Sequence, residues 1–450
     1  MMLSCYGLIK KDNKDYWIKF HRELMYISQL IAAESIELVF SGRNLTSSLS
    51  KVFEGYPKMT YQQRAVAQDL SYGTLRFLGN LDAILGRLLE RPIQDEFLRC
   101  LLLVALYQLE YGRAENHTIV NQAVNAVSKS KCPWAKALIN GVLRNFIRNK
   151  KELNDTLPHS DITKYSYQPW WISKVKEQYP FSWESILVAG NQHPPMTLRV
   201  NRRQMNADEF ISILKENNIE AEKIDEFAVT LLKALPVEKI PGFFEGDFSV
   251  QDYGAQFAAQ LLDLTEGARV LDACSAPGGK TGHILEMADV DLLAIDNDQA
   301  RLSKVESNLR RLNLNARLLV GDASTPEAWW DGKQFDRILA DVPCTASGIV
   351  RRHVDIKWLR REDDIVSFTK QQELILPSLW RLLRKGGKLL YVTCSIFKEE
   401  NLNQIEKFLQ THNDAEQIPL NLNTLVNIDN GQILPTAKHD GFYYNLLQKK

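Results

Sequence analysis

The chain is poor in cysteine. Six occur in 450 residues (Cys5, Cys100, Cys132, Cys274, Cys344 and Cys394), and no two form a C-x-x-C pair. That argues against a zinc site, and no metal is expected. The N-terminus lacks the apolar core of a secretory leader, so the few thiols imply reduced cysteines and a cytoplasmic protein. Each is by default a small buried hydrophobe. No apolar stretch reaches the roughly eighteen residues of a membrane span, so no membrane partner is expected. Net charge is also missing, with 55 Lys and Arg against 55 Asp and Glu. The balance is uneven along the chain. Residues 1–150 carry 20 basic and 13 acidic residues, and the remainder 35 and 42. A basic first third suits an anionic partner such as nucleic acid, with a solvated surface as the alternative.

Such a length implies two or three domains. Hydrophobic residues make up 45% and charged residues 24%, an ordinary globular balance. Residues 24–150 read as helical. Apolar residues recur at helical spacing in 98–109 and 134–147, and only Pro92 and Pro133 fall between 60 and 150. Pro133 is placed to open the last helix. Residues 151–165, KELNDTLPHSDITKY, read as a polar linker. Residues 156–250 read as a small α+β connecting domain with alternating stretches such as MTLRV at 196–200. From 251 to 450, short apolar runs (268–273, 291–296, 316–321, 335–341, 387–393) alternate with helical patterns (299–312, 363–384, 399–411). That alternation predicts an α/β domain with a mostly parallel sheet covered on both faces.

The first strand of that domain runs into a loop of small residues, ARVLDACSAPGGK at 268–280. Small residues let backbone approach a ligand, and the following helix offers free N–H groups. One alternative is a P-loop ATPase, because CSAPGGKT departs from G-x-x-x-x-G-K-T only at Cys274. The next strands oppose it. Asp272, Asp296, Asp322 and Asp341 fall at four successive strand ends. Carboxylates there repel a triphosphate and suit a ligand with ribose hydroxyls, an amino group and positive charge, which S-adenosylmethionine combines. The alternative for each aspartate is a turn or helix cap. A nicotinamide dinucleotide is disfavoured, since G-x-G-x-x-G is absent.

Two cysteines also fall at strand ends, Cys344 in DVPCTASG and Cys394 in LLYVTCS. Either alone reads as structural. Together they fit one chemistry. Cytosine C5 is a weak nucleophile until a thiolate adds to C6. The site must then favour a thiolate over a free thiol of pKa about 8.5. Asp341 is placed to hold protonated N3, and a second thiol near C5 to assist elimination.

These stretches resemble the RNA cytosine-C5 methyltransferase family, also called Fmu/Sun or NOL/NOP/Sun. The resemblance rests on DACSAPGGK, AIDND, GDA, DVPCTASGIVRRHVDIKW and VTCS. Two departures are small: DVPCT stands for DAPCS, and CSAPGGK for CAAPGGK. The resemblance implies that Cys394 is the nucleophile and Cys344 promotes release. It also implies that Cys274, Ser275, Ala276, Pro277, Gly278, Gly279 and Lys280, with Asp296, Asp322 and Asp341, contact S-adenosylmethionine. Residues 24–155, through LSYGTLRFLGNLD, LLLVALYQLEY and ALINGVLRNF, resemble the NusB-like RNA-binding fold. With NQHPPMTLRVNR at 191–202, the likeness extends over nearly the whole chain. The implied architecture is multidomain: an all-α NusB-like domain, a small α+β connecting domain and a Rossmann-like class I methyltransferase domain. The implied partner is 16S ribosomal RNA, free or partly assembled, met by a monomer. Residues 1–23 extend beyond the family's usual start, with Met25 a candidate initiation residue.

The stretch RRHVDIKWLRR at 351–361 is dense in Arg and carries His353 and Trp358. It reads as a grip on phosphates and bases, or else as a solvated loop. A non-catalytic RNA-binding or antitermination factor is a further alternative, which the retained cysteines and aspartates oppose.

Overall fold

The computed structural model describes residues 12–420 and 426–450, with side chains from residue 26 onward. Cys5, and the side chains of the 1–23 extension and of Met25, lie outside the described residues. The chain forms two compact units: residues up to 173 with 353–359, and residues 174–352 with 360–450.

The first unit is helical: α1 (Asp12–Phe40), α2 (Leu45–Glu54), α3 (Tyr61–Arg76), α4 (Leu78–Leu88), α5 (Glu96–Tyr111), α6 (Asn116–Ser128), α7 (Lys136–Asp155) and α8 (Asp161–Tyr165). Side-chain oxygens of Asn44, Thr60 and Asp95 cap α2, α3 and α5 by accepting from backbone N–H groups of the first turn. Buried positions surround α5 on every side, from Phe97 through Leu109, so it forms the centre of the core. Pro133 opens a short 3-10 turn that leads into α7. The expected linker at 151–165 is largely helical. The α7 helix continues to Asp155, and α8 buries Tyr165.

A second pass of the chain completes this unit. Val354 joins the helical core, and Asp355 Oδ2 accepts from Leu45 N at 2.9 Å, capping α2. The short helix that follows, α15 (Ile356–Leu359), anchors Trp358 by donation from Nε1 to Leu75 O at 2.7 Å.

The second unit begins with the rest of α9 (Pro169–Gln178) and α10 (Trp183–Asn191). Four antiparallel strands follow, β1 (Met196–Val200), β2 (Ala221–Lys223), β3 (Ala228–Leu231) and β4 (Phe248–Val250), in the order β2-β3-β1-β4, with α11 (Ala207–Glu216) supplying Phe210 and Leu214 to their core. The large sheet then contains β5 (Arg269–Ala273), β6 (Asp291–Asp296), β7 (Arg317–Val320), β8 (Phe335–Asp341), β9 (Leu383–Thr393), β10 (Ala415–Ile418) and β12 (Phe442–Lys449), with β11 (Gln432–Ile433) on β12. Its order is β10-β12-β9-β8-β5-β6-β7. The run from β9 to β7 is parallel, and β12 and β10 add antiparallel edges. Helices α12 (Phe257–Leu261), α13 (Gly279–Met287), α14 (Gln299–Arg311), α16 (Glu362–Leu382) and α17 (Leu402–Thr411) complete the unit. Separate apolar cores lie under the two faces, which explains why these strands are near-continuous apolar runs. Strand order reverses between β5 and β8, and that reversal opens a crevice at the strands' carboxyl ends.

Candidate active site

The loop after β5 is shaped by its backbone. Cys274 takes φ +71° and Gly278 φ +98°, turning the chain into α13. A Cβ at Gly278 would lie 3.0 Å from Val305 Cα on α14, so both the angle and the contact require glycine. Ser275 N donates to Ile295 O at 2.8 Å and Gly278 N to Ser275 O at 2.8 Å, fixing the loop beside β6. Ser275 Oγ is buried and finds no hydrogen-bond partner among the described residues.

Three of the four aspartates face a cavity of about 220 Å³ at the crevice. Its walls include Cys274, Ala276, Asp296, Asp322, Asp341, Cys344 and Cys394. Asp296 is buried, accepts from Ala276 N and Asp298 N at 3.2 Å, and pairs with Arg301 at 3.4 Å. Asp322 is exposed and accepts from Ser324 N at 2.8 Å and from its hydroxyl at 2.7 Å. Asp341 Oδ2 accepts from Lys280 Nζ at 2.5 Å. Burial works against the Lys280 charge, but the Asp341 carboxylate outweighs it and holds the ammonium above its ordinary pKa. Ser275, Pro277, Gly278, Gly279 and Lys280 are not among the cavity walls. Several of them hold the loop from behind: Pro277 O accepts from Asn308 Nδ2 at 2.9 Å and Gly279 O from Arg199 at 2.8 Å.

Asp272 departs from the expected row of four. Its Oδ2 accepts from Thr281 Oγ1 at 2.6 Å, it is fully buried, and it is not a cavity wall. Burial pushes its pKa up to about 7 against that hydrogen bond. Asp272 instead ties the end of β5 to the first turn of α13 through the Thr281 hydroxyl.

The two cysteines meet. Asp341 on β8 pairs with Val392 on β9, so residues just beyond each strand emerge side by side. Cys344 Sγ and Cys394 Sγ are 3.4 Å apart, too far for a disulfide bond and close enough to act on one small ring. Contact with Cys394, then burial, raises the Cys344 pKa well above the usual thiol value. Burial, then the Asp341 charge, pushes the Cys274 thiol up as well. Gly348 N donates to Cys394 O at 2.8 Å, and a Cβ on Gly348 would strike Gly441 O at 2.2 Å. The cysteine turns are thus packed backbone to backbone.

The basic stretch at 351–361 does not present a row of free cations. Arg351 is buried and ion-paired with Asp440, and Arg352 reaches Asp440 at 2.5 Å and Asp252 at 2.9 Å. Lys357 is buried in the helical unit, where Nζ donates to Arg76 O at 2.8 Å over the Tyr167 ring. Arg360 donates to Thr345 O at 3.2 Å. Composition disclosed the cations and not their partners: Arg351, Arg352, Lys357 and Arg360 brace the protein internally, and Arg361 remains exposed. The P-loop alternative also weakens, because its lysine counterpart, Lys280, is engaged by Asp341. Sequence reading missed Asn297, Arg301 and Gln371 on the cavity wall. Asn297 alone had a signal, in AIDND.

Residues 259–448 match the family described as 16S rRNA methyltransferase RsmB/F, 167–238 the ferredoxin-like domain of RsmF/B-like methyltransferases, and 27–148 the NusB family. A ribosomal RNA small subunit methyltransferase B of Yersinia enterocolitica is 43% identical, over 94% of this chain and 99% of that protein. Its namesake in Pseudomonas syringae pv. tomato is 40% identical, over 94% and 96%. Among solved structures, one titled PH0851 superposes with a TM-score of 0.77 at 26% identity, over 94% of this chain and 99% of that one. The NSun6 protein of Pyrococcus horikoshii gives 0.57 at 19% identity, over 63% and 99%, a likeness of fold alone.

Proposed function

Because the chain belongs to the 16S rRNA methyltransferase RsmB/F family, we propose that it transfers a methyl group from S-adenosylmethionine to C5 of a cytosine in small-subunit rRNA, through a covalent bond between Cys394 and C6 of the base. The observation that carries this reading is the thiol pair, 3.4 Å apart at a cavity walled by Asp296, Asp322 and Asp341. Residues 24–155 serve RNA recognition in this reading, 156–250 connect, and 251–450 carry the chemistry.

The residues fit the methyl donor. Asp296 and Asp322, both on the cavity wall, offer acceptors for ribose hydroxyls and an amino group. When bound, S-adenosylmethionine supplies an electrophilic methyl group. The chain's own residues prepare C5 to take it. The Cys394 thiolate adds to C6, and the C5–C6 π electrons move toward N3, which takes a proton. Asp341, held by Lys280, accepts a hydrogen bond from that N–H. C5 thereby becomes enamine-like and takes the methyl group as its bond to the sulfonium sulfur breaks, leaving S-adenosylhomocysteine. Cys344 then serves removal of the C5 proton, N3 gives up its proton, the C5–C6 double bond re-forms, and the Cys394 sulfur leaves as thiolate. The base must be unstacked to reach the thiol.

Incubation with unmodified small-subunit rRNA and labelled S-adenosylmethionine tests the assignment. Cys394→Ala should give neither methylation nor adduct, whereas Cys344→Ala should accumulate a covalent protein–RNA complex. Full activity in Cys394→Ala would falsify the mechanism, and an adduct in that variant would reverse the two roles. A non-catalytic RNA-binding factor would show binding with no label transferred.

A further inference from the structure

Cys344 and Cys394 lie on separate turns, and neither turn is tied to the other by a covalent bond. Thr345 follows one cysteine and Ser395 the other. A single carboxylate stands between them. Glu400 is fully buried and accepts from Thr345 N at 2.8 Å and Thr345 Oγ1 at 2.5 Å on one side. On the other side it accepts from Ser395 Oγ at 2.5 Å. Gln372 Nε2 adds a contact at 3.4 Å while also donating to Pro343 O at 2.9 Å, directly before Cys344. The Ser395 hydroxyl continues the network to Ser347 Oγ at 2.9 Å, which accepts from Ile396 N at 2.9 Å. Asn401 braces the same turn, with Nδ2 donating to Ser395 O at 2.9 Å.

Among the described residues, all four direct donors to Glu400 are neutral. Burial raises its pKa, and the hydrogen bonds from Ser395 and Thr345 oppose that shift. A carboxyl group placed in the interior without a cation is expensive unless its oxygens are well satisfied. Tight turns alone can be closed by amides or backbone, so a carboxyl group here asks for a reason. Two-thiol chemistry supplies one. Both sulfurs must reach adjacent carbons of one base, and an error of about 1 Å in such an arrangement costs roughly 100-fold in rate.

We propose that Glu400 is the positioning residue of the cysteine pair: its buried carboxyl group clamps the turn behind Cys344 to the turn behind Cys394 and so sets the separation of the two sulfurs. It acts through Thr345 and Ser395. The inference rests on the two-cysteine mechanism proposed above.

Single-turnover reactions of the full chain with unmodified small-subunit rRNA test it, with adduct formation, adduct release and both KM values measured separately. Glu400→Ala should slow adduct formation on the order of 100-fold. Adduct that does form should persist, and KM for S-adenosylmethionine and for RNA should hold. Glu400→Gln, which keeps one acceptor oxygen in place, should restore part of the rate. Should Glu400→Ala fail to fold, Thr345→Val and Ser395→Ala each remove one side of the clamp and should show the same split in smaller measure. The inference is overturned if folded variants form and release adduct at the wild-type rate. It is equally overturned if kcat and affinity for the methyl donor fall together. Should the wild type form no adduct at all, the two-cysteine mechanism itself fails and Glu400 loses this role with it.

Discussion

Asp272 and Asp341 lie near the ends of neighbouring strands, yet their carboxyl groups meet different surroundings. Asp341 has a cation at 2.5 Å and faces the cavity. Asp272 has, among the described residues, one hydroxyl and no cation in hydrogen-bond contact. Its folded pKa of about 7 lies above the ordinary 3.8, so the folded state holds a proton that the unfolded chain has released. Asp272 therefore destabilises the fold progressively as pH rises from about 4 through 7. Asp272→Asn should flatten that part of the stability–pH curve and raise the melting temperature above pH 7. Thermal melts across pH 5–8 decide it, and a slope equal to wild type would contradict the assignment. Lys280→Met should leave the cavity walls in place while releasing Asp341, and should lower kcat by roughly 100-fold. At this scale the sequence placed both cysteines of the proposed mechanism together, because short strands carried them to one edge. It did not separate Asp272 from the other aspartates, since strand pattern locates a residue and leaves its side chain's surroundings open. Glu400 was hidden for a related reason. FKEEN reads as a solvated helix start, and only the closed turns enclose it.

The five parallel strands of the large sheet and the helices α14, α16 and α17 were legible within a few residues, because apolar runs mark strands covered on both faces, whereas the antiparallel edge strands β10 and β12 were not. The run at 291–296 and the run at 335–341 coincide with β6 and β8. Elements whose formation depends on tertiary contacts were not. Most of the polar 151–165 segment folds as helix, with Leu153 and Leu157 packed on the helical core and Tyr165 buried. The loop after β5 is an element in its own right, governed by Gly278. Gly278→Ala would force an L-residue to φ +98° and press a methyl group on Val305. Unfavourable φ alone costs about 1–3 kcal/mol. The expected result is a lower melting temperature together with weaker binding of S-adenosylhomocysteine by calorimetry. Unchanged binding would mean that the loop's shape matters little to the ligand.

The two compact units are not two consecutive lengths of chain. Residues 353–359 belong to the helical unit although both flanks belong to the other. Sequence order predicts consecutive domains, and this return was illegible because the same residues read as an RNA grip. Trp358→Ala should destabilise the helical unit by about 2–4 kcal/mol, since it removes half-buried aromatic surface and the hydrogen bond to Leu75 O. Denaturant unfolding with hydrogen exchange should locate the loss in α2 and α3, and losses confined to the large sheet would count against it. The return also imposes a schedule on synthesis. The helical unit has all but seven of its residues once position 173 has been translated, yet Val354 and the cap on α2 come only with the second pass. At ordinary elongation speeds the interval is roughly 10–40 s. During it the nascent helices must wait with an open seam, at risk from proteases and chaperones until the rest of the chain arrives to close it.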